Sequence, residues 1–366
     1  MIHTLMISHR LLSIRDYNEI FRVLALISKE NNTTFRKTNL GYETTALRDY
    51  GFNKVILKKF KVDKRYKNDY LNITIILNPI KLVNKDKLEV IKEEDLELVY
   101  KGFKEVKNRI FIGLPSLEYW NINRVDYAVN IFMEHVKEYI KLFQRADKPS
   151  IFNELYSTEA HRRKQLDGSF YLYNKSTIIN FYDKENELMK KNFNTDGAKN
   201  LLRFEVQCNK LKTNNIKYKK GFETSHVKNY LKMDLSEEYI KHYYNKTIGS
   251  GDYYKLSRAI EMINDSNYTE KMKKRLIEVL KGVNLHRSIW KAREKSVYSK
   301  NSFNKYLKMI RALNINPVTI PNKWKIDYLK NPEKFFGKNK GNNNLCGEFI
   351  KNVLQEVQNL LMEYKN

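Results

Sequence analysis

Residues 122–132 read INRVDYAVNIF, and residues 201–208 read LLRFEVQC. Apolar and polar side chains alternate in both stretches, which predicts two β-strands. Because alternate side chains of a strand point to opposite faces, Asp126 and Glu205 each lie opposite a row of apolar side chains. A buried acid is costly unless it is paired or bound to a cation. If the strands are neighbours, the two acids could share Mg²⁺ or Mn²⁺ through oxygen ligands. The alternatives are a solvated sheet face or an ion pair between Asp126 and Arg203.

The sequence around these two strands predicts further strands interleaved with helices. The predicted strands are residues 3–9, 55–62 and 69–77, with a β-hairpin at 169–183. The predicted helices are residues 17–28, 94–106 and 133–143, where apolar side chains recur at helical spacing. Strands joined by hairpins and flanked by helices are typical of an α+β fold with a mostly antiparallel sheet.

From about residue 234 onward the sequence favours helices alone. The predicted helices are 269–281, with Thr269 as N-cap and Gly282 as stop, then 285–294 and 302–313. A last amphipathic pattern passes through Phe349, Val353, Val357 and Leu361. We therefore divide the chain into an α+β domain at 1–232 and an all-α domain at 233–366.

The charge of the chain points to a polyanionic partner. It has 68 Lys and Arg against 42 Asp and Glu, a formal net charge of +26. A surface this basic attracts nucleic acid. A ribosome-associated protein, a membrane-surface protein and lysine bias from an AT-rich genome are the alternatives. Two cysteines make no disulfide framework and fit a reducing cytosol. No signal-peptide core and no run of apolar residues long enough to span a bilayer is visible, so we expect a soluble, cytoplasmic protein without a membrane partner.

The hairpin carries a tyrosine and a lysine at a spacing that suits nucleophilic chemistry. Tyr171 and Lys175 are four residues apart, and Tyr182-Asp183-Lys184 closes the return strand. A phenol has a pKa of about 10 and is a poor nucleophile until a cation lowers that pKa and a metal polarises the phosphate. The alternative is that these tyrosines, among 25 in the chain, pack structurally in the hairpin.

Other catalytic signatures are missing from the sequence. It has no Gly-x-x-x-x-Gly-Lys-Ser/Thr loop and no His-Glu-x-x-His motif. The 7 histidines include no His-x-His pair, so a metal at this candidate site would be held by carboxylates. His161, in a basic stretch before the hairpin, is a weaker candidate ligand.

Three motifs in order resemble a known family. NRVDYAVNIF, GSFYLYNKSTIINFYDKENEL and LLRFEVQCNKLK are similar to an Arg-x-Asp strand, a tyrosine hairpin running into Tyr-x-Lys-x-x-Glu, and an Arg-Phe-Glu strand. Those three motifs are typical of the gene II/X family of phage and plasmid replication proteins, which this chain resembles. Their order also resembles that in the Rep proteins of small staphylococcal rolling-circle plasmids. The resemblance covers roughly residues 70–215, and LNINPVTIP at 313–321 resembles firmicute plasmid Rep proteins.

The resemblance implies a role for each matching residue. Tyr171 takes the position of a nucleophile that nicks one DNA strand and forms a 5′-phosphotyrosine link. Asp126 and Glu205 take the positions of the two acids, and Lys175 that of a basic residue after the tyrosine. Tyr173 stands where the staphylococcal pattern has Gly, which leaves open which hairpin tyrosine attacks. The remaining predicted DNA contacts in this domain are Arg203, Tyr182 and Lys184.

The helical domain offers a candidate surface for reading duplex DNA. The helix at 302–313 is predicted to bury Phe303, Leu307 and Ile310, and it exposes Asn304 together with Lys305, Lys308 and Arg311. Basic and amide side chains on one helical face suit contact with the major groove. The alternative is an ordinary solvated helix face.

The sequence therefore predicts a rolling-circle replication initiator that uses Mg²⁺ or Mn²⁺. Its expected partner is the replication origin, single-stranded or melted, and host replication proteins are candidate further partners. The alternatives are a non-catalytic DNA-binding replication or partition protein and an RNA-binding protein. The sequence leaves open the oligomeric state and whether the host element is a phage or a plasmid.

Overall fold

The structure is a computed structural model that describes residues 2–39, 41–61, 69–157, 164–165 and 168–336. Residue 62 of the predicted strand 55–62, His161 and the amphipathic pattern at 349–361 lie outside the described residues.

A ten-stranded sheet, antiparallel at every pairing, forms the centre of the molecule. Its order is β2-β3-β4-β5-β1-β6-β12-β11-β10-β7. The strands of this sheet are β1 Ile2–Arg10, β2 Phe35–Thr38, β3 Gly41–Thr44, β4 Phe52–Lys61, β5 Asp69–Leu77, β6 Asn121–Phe132, β7 Asn153–Glu154, β10 Ser169–Tyr173, β11 Thr177–Asp183 and β12 Leu201–Cys208. Two small sheets pair β8 Tyr156–Ser157 with β9 Lys164–Gln165, and β13 Tyr253–Tyr254 with β14 Tyr328–Leu329.

Helices flank the sheet and dominate the C-terminal region. They are α1 Ile14–Glu30, α2 Pro79–Leu82, α3 Leu96–Asn108, α4 Val136–Phe143, α5 Lys184–Lys190, α6 Lys210–Lys220, α7 Met233–Thr247, α8 Leu256–Asn264, α9 Glu270–His286, α10 Ile289–Lys295 and α11 Lys300–Ala312. Within the described ranges, no helix combines the length and apolar character needed to cross a bilayer. The predicted α+β fold with an antiparallel sheet and a helical C-terminal region is confirmed.

The two faces of the sheet differ in character because each strand alternates apolar and polar residues. Helices α1, α4, α6 and α7 pack on one face. The rings of Phe181 and Phe204 stack there with centroids 4.1 Å apart. The hydroxyl of Tyr127 donates to the carbonyl oxygen of Tyr230 on the same side. We call the other face, which carries Ser8, Asn72, Arg124 and Glu205, the polar face.

The helical region departs from its predicted boundaries at α9. Gly282 was predicted to end this helix, but the helix continues to His286, and Arg287 ends it with a left-handed φ of 51°. A Cβ added at Gly282 would meet no atom within 4 Å, so the glycine occupies an unconstrained helical position. Helices α9, α10 and α11 pack together as a bundle, and the predicted apolar residues Phe303, Leu307 and Ile310 are buried in it.

Candidate active site

A row of polar side chains crosses four adjacent strands on the polar face. Tyr171 of β10 pairs with Asn180 of β11, and Asn180 pairs with Glu205 of β12. Glu205 pairs with Ala128 of β6, two residues beyond Asp126. Diagonal neighbours of this kind have Cα atoms about 7–8 Å apart. Two strand spacings place Tyr171 roughly 10 Å from Glu205 at the backbone. The sheet register therefore brings the three predicted residues Tyr171, Asp126 and Glu205 onto one surface.

Asp126 is buried, and only one of its two carboxylate oxygens has a hydrogen-bond partner. One carboxylate oxygen, Oδ2, accepts a hydrogen bond of 2.9 Å from Arg124, while Oδ1 is buried without a partner. Burial is the largest cause that raises the pKa of Asp126 to about 7; Arg124 acts against it and Glu205 adds to it. The acid therefore pairs with Arg124 rather than with Arg203, and it retains a free acceptor oxygen.

Glu205 is held by neighbours that favour its charge. The Tyr182 hydroxyl donates to its Oε1 at 2.7 Å, and His3 Nδ1 lies 3.5 Å from the same oxygen. Burial works against ionisation, but His3, Arg203 and the Tyr182 hydroxyl together hold the pKa of Glu205 below its usual range. Burial also raises the pKa of Tyr182 well above its ordinary value, so its hydroxyl stays protonated and remains a donor.

His3 joins the site through an irregularity of β1 that the sequence pattern did not reveal. Ile2 pairs with Tyr127 and Thr4 pairs with Asp126, so His3 is an extra residue at a register shift. Such a bulge re-aims side chains. Burial lowers the pKa of His3, and the neighbouring Glu205 carboxylate opposes that shift.

Tyr171 is half-buried on the polar face within electrostatic reach of both acids. Burial raises its pKa, Arg124 lowers it, and Asp126 and Glu205 raise it. The cation that favours the Tyr171 phenolate is therefore Arg124. The phenol is less acidic than in water as long as both carboxylates face it without added positive charge.

Lys175 occupies the tip of the hairpin rather than a place beside Tyr171. The turn is fixed by the Asn174 side chain, whose Oδ1 accepts from the backbone N–H groups of Ser176 and Thr177 at 2.8 Å each. Lys175 is exposed, and the cation among the leading causes of the Tyr171 pKa shift is Arg124. Tyr173 lies on the same face as Tyr171, with ring centroids 6.4 Å apart, and is 38% exposed.

Two further predicted DNA contacts are corrected by burial. Arg203 is 0% exposed; its Nε donates to Asn130 Oδ1 at 2.7 Å and its guanidinium to the Leu88 carbonyl at 2.8 Å. It anchors the segment around Leu88 to the sheet and cannot reach DNA. Lys184 is also buried and donates to Glu187 at 2.8 Å.

Tyr182, predicted as a DNA contact, is only 8% exposed and contacts Glu205 instead. The Tyr182 hydroxyl therefore orients the Glu205 carboxylate.

The polar face has acceptor atoms that fit a cation. Asp126 Oδ1 and Asn180 Oδ1 are both buried without a hydrogen-bond partner. Carboxylate and amide oxygens are ligands of hard divalent cations. Over the part of the chain that the structure describes, however, no three or more His, Cys, Asp or Glu side chains converge into a ready metal cluster. These donors would suit Mg²⁺ or Mn²⁺, and Asp126 and Glu205 are the carboxylates that could hold such an ion.

A second basic surface lies at α11. Lys305 and Lys308 are exposed there, and Arg311 is half-buried. They line a groove of about 940 Å³ with Lys246 and Trp290. Seven basic and two acidic side chains line this groove. The Arg311 Nε is buried without a hydrogen-bond partner, whereas the exposed Lys305 and Lys308 are the cations that an anion in the groove can reach.

No family model matches the chain, and no curated protein matches it. Among solved structures, the chain is similar to a rolling circle replication initiator protein from Geobacillus stearothermophilus at 12% sequence identity. The match covers 57% of this chain and 73% of that chain, with a TM-score of 0.29. A similarity this low establishes neither a shared fold nor a shared function.

Proposed function

We propose that this chain nicks one strand of DNA through Tyr171 and thereby initiates rolling-circle replication. The observation that supports it is the row on the polar face, in which a half-buried tyrosine shares one surface with two carboxylates of opposite pKa shift. Groups whose environments separate their pKa values in this way are typical of acid–base sites. The motif resemblance assigns the same three residues to nicking.

The proposed reaction is a transesterification. The Tyr171 phenolic oxygen forms a bond to the scissile phosphorus, and the bond between that phosphorus and the 3′-oxygen of the preceding nucleotide breaks. The phenolic proton is lost, and the departing 3′-oxygen gains one. The products are a 5′-phosphotyrosine link and a free 3′-hydroxyl, which a polymerase can extend.

The residues around Tyr171 have different proposed roles in this reaction. Arg124 is the cation that favours the phenolate, and Tyr182 and His3 orient Glu205. A Mg²⁺ or Mn²⁺ ion held by Asp126 and Glu205 would supply positive charge that polarises the phosphate and lowers the pKa of the phenol. Asp126, whose pKa is about 7 without an ion, would be held in its charged form once it binds the cation.

We propose that the groove at α11 binds duplex DNA of the origin. Lys305, Lys308 and Arg311 line it, and charge-assisted hydrogen bonds to phosphates suit these side chains. A separate duplex surface lets an initiator find its origin among many competing sites.

Covalent attachment to DNA tests the proposed function. Wild-type protein with a labelled single-stranded oligonucleotide and Mn²⁺ should give a slowly migrating adduct on a denaturing gel. Tyr171→Phe removes one oxygen, keeps the ring, and should give no adduct. Tyr173→Phe and Tyr182→Phe are the matched controls, and loss of the adduct in one of them alone would move the nucleophile there.

One observation favours a second candidate function, a non-catalytic DNA-binding replication protein. Burial raises the Tyr171 pKa, and both carboxylates add to that shift. A protein of this kind would bind DNA through the same basic surfaces and give no adduct with any oligonucleotide.

A further inference from the structure

A pocket of about 500 Å³ opens on the polar face next to the candidate active site. Arg124 connects the two, because it lines the pocket and donates to Asp126. Pockets for small ligands have volumes of about 300–1,000 Å³, so one nucleotide fits here. Lys58 of β4, Tyr70 and Asn72 of β5 and Lys210 at the start of α6 form other walls.

The charged side chains of this pocket are all basic. Lys58, Arg124 and Lys210 line it, and no acidic side chain does. The Arg124 Nε is buried without a hydrogen-bond partner. Lys58 forms no ion pair with any residue that the structure describes, whereas Lys210 Nζ donates to the Ile122 carbonyl at 3.0 Å. A partly exposed cation such as Lys58, with no ion pair among the described residues, suits phosphate oxygens.

Two aromatic rings form an apolar wall of the pocket. Phe60 and Tyr70 have ring centroids 5.0 Å apart and an interplanar angle of 39°. Arg10 lies over the Tyr70 ring at 5.8 Å from its centroid. Single-stranded nucleic acids bind on such platforms because every base has a face that stacks on an aromatic ring.

Amide side chains complete the pocket. Asn72 is 5% exposed; its Nδ2 donates to the Tyr70 hydroxyl at 3.3 Å, and its Oδ1 accepts from the Thr74 hydroxyl at 2.9 Å. These bonds fix the amide beside the Tyr70 ring. Asn123 and Asn209 also line the pocket. Amides present a donor and an acceptor together, as the edges of nucleobases do.

We propose that this pocket binds one nucleotide of a single DNA strand, with its base on Phe60 and Tyr70 and its phosphates on Lys58 and Arg124. Because Arg124 also contacts Asp126, the bound nucleotide lies beside the phosphate presented to Tyr171. That last statement rests on the proposed function, whereas the nucleotide pocket itself does not require nicking.

The test compares a twelve-nucleotide oligothymidylate with an abasic strand of the same number of phosphates. Binding is measured by fluorescence anisotropy without divalent cation, so no cleavage is involved. Wild-type protein should bind the oligothymidylate about tenfold more tightly, as expected for base stacking. Tyr70→Leu should remove most of this preference and leave the affinity for the abasic strand unchanged, whereas Tyr70→Trp should keep the preference.

Lys58→Ala should instead remove a contact with the phosphates of the strand. It should weaken binding of both strands by the same factor and reduce the slope of log affinity against log salt by about 1. The controls are Tyr218→Leu and Lys219→Ala, both exposed on α6, which should leave base preference and slope unchanged.

The base preference decides the inference independently of the adduct assay. Equal binding of the two strands by wild-type protein would overturn it, as would a preference that survives Tyr70→Leu. Loss of adduct formation with the preference intact would count against nicking alone.

Discussion

Asp126 and Glu205 lie on one surface, but their surroundings make them different acids. Asp126 has one partner, Arg124, and burial brings its pKa to about 7. Glu205 has Tyr182, His3 and Arg203 around it, and its pKa is lowered. Near pH 7 the pair therefore carries less than two full negative charges, which reduces the repulsion between the acids.

Removing either charge should stop nicking without stopping DNA binding. Asp126→Asn and Glu205→Gln change charge and little volume, so each should reduce adduct formation by at least about 100-fold, the usual contribution of such groups. Duplex affinity, measured by gel shift, should change less than about threefold. Glu43→Gln is the control, because Glu43 pairs with Arg36 and Lys54 toward the far edge of the sheet. Normal nicking by either variant with Mg²⁺ or Mn²⁺ present would contradict the assignment of these acids.

At the scale of residues, the sequence predicts which face of a strand a side chain lies on better than it predicts which residues that side chain contacts. Strand alternation was enough to put Asp126 and Glu205 on matching faces, because β6 and β12 pair directly. It could not reveal His3, whose position depends on a register shift. It misplaced Arg203, because the carbonyl groups that bind this guanidinium come from a segment more than 110 residues earlier in the chain.

The basic side chains of helix α11 line a groove. Its N-cap, Ser299, accepts from the Ser302 backbone N–H at 3.2 Å, and its apolar stripe packs in the bundle. Helical periodicity was enough to predict this burial. Periodicity could not predict that Trp290 and Lys246 line the same groove, because the lining of the groove depends on how separate elements pack together.

Replacing Lys305 and Lys308 with Ala should weaken duplex binding and spare cleavage of a short single strand. Each lysine that contacts a phosphate should contribute about one unit to the salt slope, so the slope should fall by about 2. Arg311 stays in place because its half-buried guanidinium also contacts the Ile248 carbonyl at 3.5 Å. The control replaces Lys271 and Lys274, which are exposed on α9 and do not line the groove. Equal losses in duplex binding and strand cleavage would assign α11 to the active site or the fold.

A buried carboxylate joins β13 to the segment that follows α11. Asp252 accepts from the Asn331 backbone N–H at 2.8 Å, from Lys334 Nζ at 2.7 Å and from the Asn314 amide at 2.9 Å. Burial works against its ionisation, but these hydrogen bonds lower the pKa of Asp252 overall. The carboxylate is therefore more stable when charged in the folded protein than in the unfolded chain.

Asp252→Asn should destabilise the protein by about 2 kcal/mol at pH 7, as expected for lost hydrogen bonds to a charged group. Because the folded-state pKa is depressed, this contribution is present above the unfolded value of about 4 and is lost as the pH falls below it. Urea unfolding at pH 7 and pH 3 measures both parts. Asp327→Asn is the control, since Asp327 is 82% exposed in its pair with Lys255. Equal stability of Asp252→Asn and wild type at pH 7 would contradict the role of this network.

Across the whole molecule, basic charge collects at the two surfaces that we propose bind DNA. The pocket beside Arg124 and the groove at α11 have mainly basic charged side chains around them. Composition alone predicted an affinity for nucleic acid from the net charge of +26. It could not predict where that charge is exposed, because burial removes Arg203 and Lys184 from the surface.

DNA affinity should therefore fall steeply with salt. Each phosphate contact contributes a slope of about −0.9 in log affinity against log salt, so several contacts should give a total of several units. Anisotropy titrations of a fixed duplex from low to physiological salt measure this slope. Binding that hardly changes over this range would contradict a DNA-binding role for the basic surfaces.

The most direct test of the central claim is to identify the residue that becomes linked to DNA. Trypsin cuts after Lys164 and Lys175, so Tyr171 and Tyr173 share one peptide and Tyr182 lies in another. After reaction with single-stranded oligonucleotide and Mn²⁺, followed by nuclease and trypsin, fragmentation in a mass spectrometer should place a nucleotide on Tyr171. A nucleotide on Tyr173 or Tyr182, or no modified peptide under conditions in which the protein binds the strand, would contradict the account.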